Sequence, residues 1–132
     1  MTTAAEVSRV DVTPEAADLI RRLRADHGPV MFHQSGGCCD GSSPMCYPVG
    51  EFMTGAADVH LGDLHVGEGE AVAVWMSLNQ YEYWKHTHLT IDVVPGRGGG
   101  FSLETPTGNR FLIRSRLLTD EEFAKLSPVQ SS

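Results

Sequence analysis

Two periods of hydrophobic spacing organise this chain. Ala16, Leu19, Ile20 and Leu23 recur at i, i+3, i+4 and i+7, with Glu15, Asp18, Arg21, Arg22 and Arg24 mainly elsewhere on the wheel, which predicts an amphipathic helix. Thr13 and Pro14 supply its cap and first turn, and His27, Gly28 and Pro29 stop it. Val10–Val12 reads as an extended lead-in and Val30–His33 as a buried strand. Further strands are expected over Val49–Thr54 and Asp58–Leu61. Glu70–Met76 carries apolar residues at both parities, the mark of a central strand covered on both faces.

Ser77–Trp84 suits a short helix capped by Ser77, although its aromatics would also fit a strand. From His88, the alternation of Leu89, Ile91 and Val93 with Thr90 and Asp92 is the period-two signal of a half-buried strand. PGRGGG, residues 95–100, must turn. Phe101–Glu104 and Arg110–Leu117 read as a hairpin pair joined through TPTGN, and Thr119 with Glu122 forms a capping box for a last helix holding Phe123 and Leu126. The pattern gives an α+β fold: one domain over 1–132 with an ordered core of about 10–126, a twisted, mostly antiparallel sheet, one N-terminal helix and short helices. The first residues and the tail from Ser127 to Ser132 are polar and expected to fray.

Composition narrows the partners. With 10 basic against 17 acidic residues the chain has a formal charge of -7, which argues against nucleic acid and anionic membrane surfaces. It has no long apolar run and no greasy leader, so a cytoplasmic location is expected, where three cysteines read as thiols, metal ligands or redox groups.

All three fall in one stretch, His33 to Pro48, HQSGGCCDGSSPMCYP. Gly36, Gly37 and Gly41 allow tight bends there, and ordering such a loop costs entropy that a bound group or a bond would offset. Thiolates suit zinc, copper(I) and iron–sulfur clusters, and imidazole adds an intermediate donor. The candidate ligands are Cys38, Cys39 and Cys46, with His33 at the loop entrance and His86 and His88, which share a face if both lie on a strand. Zinc or iron is the first expectation, copper or an iron–sulfur cluster the alternatives. Asp40 and Glu51 are candidate partners of a ligand. Against this stands the plain alternative that the cysteines are small buried apolar residues, and a redox reading in which Cys38 pairs with Cys39 or Cys46.

On this loop the chain resembles a bacterial family, domain of unknown function 779, over roughly residues 10 to 120. Because members are commonly encoded beside aldehyde dehydrogenases, the resemblance implies an accessory role near aldehyde or alcohol oxidation, with a dehydrogenase as possible partner. More distantly, the TPEAADLIRRL helix, strand, GGC turn and GGGFSLETP segment are similar to the HesB-like A-type iron–sulfur carriers, whose fold is thereby implied. Cys38, Gly100, Phe101 and Pro106 match that family's landmarks, but its late cysteine–glycine–cysteine pair is missing, and the chain reads NRFLIRSR instead. The expectation is a metal- or cluster-binding accessory protein. The rivals are a small metal-dependent or thiol-redox enzyme acting on an aldehyde-derived or thiol compound, and a metal-free interaction module. A homo-oligomer is plausible because a small sheet has edges to protect.

Overall fold

The computed structural model of the chain describes residues 9–34, 44–50, 54–66, 71–96, 102–126 and 130–131. Strand β1 (Val10–Val12) leads into helix α1 (Pro14–His27), followed by β2 (Val30–Gln34), β3 (Met45–Pro48), β4 (Asp58–Leu64) and β5 (Val72–Ser77). Then come α2 (Leu78–Trp84), β6 (Thr87–Pro95), a 3₁₀ turn at Thr105–Thr107, β7 (Asn109–Leu117), α3 (Asp120–Lys125) and β8 (Gln130–Ser131). No helix among the described residues is long and apolar enough to cross a membrane.

Helix α1 forms as its signals predict. Thr13 Oγ1 accepts from the Ala16 N–H at 3.2 Å, and Gly28, at φ 81°, ends the helix in a conformation that only glycine adopts without strain. Its buried face is Ala16, Ala17, Leu19, Ile20 and Leu23. Ser77 caps α2. Thr119 and Glu122 close the expected capping box on α3.

The strands form two sheets rather than one, ordered β1-β6-β7 and β3-β2-β5-β4-β8. Most neighbours are antiparallel, but β1–β6 and β2–β5 are parallel. The sheets meet across one core, where Phe32 of β2 stands edge-on to Phe111 of β7 with centroids 4.9 Å apart. β5 is central, as its two-faced pattern predicts.

Two expectations are corrected. A strand lies at Met45–Pro48, where Cys46 finds a buried place opposite Phe32 and after which Gly50 turns the chain, while of the strand expected at Val49–Thr54 residues 51–53 lie outside the described residues. Residues 102–104 form no strand: β7 pairs with β6, and the segment runs into the 3₁₀ turn. The tail is not wholly free of regular structure, since Gln130 and Ser131 pair with β4.

Residues 102–104 instead bridge the rims of both sheets. The Cys46 N–H donates to Ser102 Oγ at 2.8 Å, and the Leu103 N–H donates to the Cys46 carbonyl at 3.0 Å, covering the open side of β3. Glu104, fully buried, accepts from the Ser102 hydroxyl and, at 3.3 Å, from the Phe111 N–H on the open side of β7. A buried carboxyl without such donors would be strongly destabilising. Here its hydrogen bonds tie the two layers together.

Candidate functional site

The β2–β3 hairpin presents two different faces. Its register pairs Met31 with Tyr47, Phe32 with Cys46 and His33 with Met45. Side chains of directly paired residues share a face and successive residues alternate. Phe32 and Cys46 therefore point into the core between the sheets, and Met31, His33, Met45 and Tyr47 point to the outer face.

Cys46 is fully buried in the apolar core, and burial, followed by the charge of Glu104, pushes its thiol far above the ordinary range. Such a thiol packs as a small apolar group, on the face of the hairpin opposite His33.

His33 is only 3% exposed. Its Nε2 lies 2.7 Å from Asp58 Oδ1, and Asp58 Oδ2 accepts from the Gly55 N–H at 2.9 Å. Burial works to raise the Asp58 pKa, yet the hydrogen bonds from His33 and Gly55 hold it below the usual carboxylate range. The contact with the Asp58 carboxylate fixes the orientation of the imidazole ring. A histidine fixed in this way is the usual arrangement behind a metal ligand or a general base.

The outer face continues across the sheet. Trp75 pairs with His33 on one side and His60 on the other, and the His60 and Trp75 rings lie 5.0 Å apart. A register shift between His60 and Gly62 adds one residue to β4, so His60 and Asp63 fall on the same face and meet at 2.8 Å.

His86 and His88 belong elsewhere. His86 precedes β6 and stacks against Phe123, with centroids 5.2 Å apart, so the two do not lie on one strand as expected. His88, on the three-stranded sheet, has its pKa lowered by burial and by Arg116, with Asp11 and Glu122 acting the other way. Both sit at β6 of the three-stranded sheet, whereas His33 is on β2 of the five-stranded one, and the described residues contain no cluster of three histidine, cysteine or acidic side chains that could hold a metal. Cys38, Cys39, Asp40 and Glu51 lie outside the described residues.

Sequence reading missed Asp58, because 25 positions separate it from His33 and no spacing rule joins them. It also passed over Met31 and Met45, which read as ordinary apolar residues until the register placed them beside His33.

No curated protein and no solved structure matches the chain, so the likeness to HesB-like carriers stays one of sequence landmarks. A family model matches residues 19–117, three quarters of the chain, including the whole hairpin and its connecting loop. The chain belongs to the family described as domain of unknown function DUF779.

Proposed function

We propose that the chain is an accessory protein that holds a metal ion or cluster at the turn of the β2–β3 hairpin, with Cys38 and Cys39 as thiolate ligands and His33 as the imidazole ligand. The observation that carries this reading is the 2.7 Å contact of His33 with Asp58, at the end of the strand from which the cysteine-bearing segment departs. Cys38 lies within about 18 Å of His33 even along fully extended chain, which puts it within reach of the same site. Cys46 serves the core in this scheme. Family resemblance alone supports an aldehyde-oxidising dehydrogenase as the partner served.

Protein purified without a metal-affinity tag should carry near-stoichiometric zinc, iron or copper by elemental analysis. Cys38→Ser with Cys39→Ser should release it while leaving the fold intact. Failure to find or load any metal would sink the reading.

The same imidazole–carboxylate pair also favours a second reading, in which His33 draws the proton from a loop thiol and the protein is a thiol enzyme. In that case metal-free protein should react rapidly with iodoacetamide near neutral pH, and His33→Gln should abolish the fast phase.

A further inference from the structure

We infer that Arg9, at the mouth of the three-stranded sheet, is an anion-binding residue whose guanidinium takes the carboxylate of a small organic acid beneath helix α3. The site is separate from the hairpin and does not depend on a metal there.

The strand register sets its place. Val10 of β1 lies opposite Leu89 of β6, and the Leu89 N–H donates to the Arg9 carbonyl at 2.8 Å, which puts Arg9 beside His88. His88 in turn faces Arg116 across the β6–β7 pair. Residues paired in this way share a face, so Arg9, His88 and Arg116 form one row across the sheet. Two aromatic rings close over the Arg9 end of that row. The guanidinium stands 5.4 Å from the ring centroid of Tyr81 on α2 and 5.8 Å from that of Phe123 on α3.

Arg9 is only 8% exposed, yet no carboxylate among the described residues pairs with it. Its Nη1 donates to the Lys85 carbonyl at 2.7 Å, at the C-terminal end of α2, while Nε is buried with no hydrogen-bond partner among the described residues. The carboxylates on this side are engaged elsewhere: Asp11 accepts from the Val12 N–H, and Glu122 accepts two hydrogen bonds from Arg116. Contacts with aromatic faces offset only part of the cost of burying an unpaired cation. Capping α2 uses Nη1 alone and leaves the Nε side of the fork, where a carboxylate can accept two parallel hydrogen bonds.

The surroundings suit such an anion. Burial, then Arg116, lowers the His88 pKa, with Asp11 and Glu122 acting the other way, so near neutral pH the ring is uncharged and can offer an N–H. Helix α3 has no fully buried residue and Phe123 is 42% exposed, which makes it a cover that a ligand can displace. The apolar body of the acid then lies against Phe123 and the His86 ring stacked on it. A formal charge of -7 repels anions in general, so an acid that binds here is held by this fork.

The test is titration of isotope-labelled full-length protein with sodium benzoate at neutral pH and constant ionic strength, following the Arg9 Nε–H and His88 ring signals by nuclear magnetic resonance. Sodium acetate and inorganic phosphate are run as separate probes. Benzoate should shift both signals saturably and bind more tightly than acetate or phosphate. Arg9→Lys keeps the charge and removes the fork, and should weaken benzoate binding at least about tenfold. No saturable shift, phosphate binding as tightly as benzoate, or unchanged benzoate affinity in the lysine variant would overturn the inference. An arginine that only caps α2 would show no response to benzoate at all, and the unmodified protein alone reveals this even if the lysine variant fails to fold.

Discussion

At the scale of single residues, one hairpin separates two roles that its sequence runs together. Three cysteines in one glycine-rich stretch look like one set, but strand pairing sends Cys46 inward to Phe32 and leaves the outer face to His33. Cys46→Ala should therefore cost about 1–2 kcal/mol of stability in chemical denaturation, for the lost sulfur volume and the small cavity left behind. It should leave metal content unchanged, the reverse of the Cys38 and Cys39 substitutions. Asp58→Asn should weaken metal binding by about 10–100-fold, the usual effect of losing a ligand's carboxylate partner. Its acid behaviour follows from its sign. A carboxyl depressed below its ordinary 3.8 adds stability above that pH and loses it as pH falls through the lower folded value. Asp58→Asn should remove that part of the acid sensitivity. His33 was legible because it sits where a predicted strand meets a predicted loop. Asp58 was not, because only tertiary folding brings β4 to it.

At the scale of elements, what local chemistry dictates was readable and what long-range pairing dictates was not. Thr13–Pro14, Ser77 and the Thr119–Glu122 box each act within one turn of chain, and all three helices start where these residues say. The hairpin expected between Phe101–Glu104 and Arg110–Leu117 fails because β propensity is set by what a residue packs against: β7 pairs with β6, and residues 102–104 run into the 3₁₀ turn. Helix α3 carries a testable ion pair. Arg116 meets both carboxylate oxygens of Glu122 at 2.9 Å, and that contact first, then the Thr119 N–H, lowers the Glu122 pKa from 4.5 to about 2. The interaction is therefore present above about 4.5 and lost as pH falls through about 2. Arg116→Ala should move the loss upward towards 4.5, read from the chemical shifts of Phe123 during an acid titration.

At the scale of the whole molecule, the α+β class and a mostly antiparallel arrangement were both evident in the pattern of periods. The division into two sheets was not. It depends on the parallel pairing of β1 with β6 and of β2 with β5, contacts across long stretches of chain that leave no mark in local spacing. Removing the Glu104 carboxyl tests the bridge between the layers. Glu104→Ala would strand the Phe111 N–H in the interior and leave a void, costing more than about 2 kcal/mol by urea unfolding. Heating shows the mechanical side of this link. Because three residues grip Cys46 in one layer and Phe111 in the other, neither can loosen without dragging its neighbour. Both should melt in a single step, with calorimetric and van't Hoff enthalpies equal, and severing the tether should split that step in two.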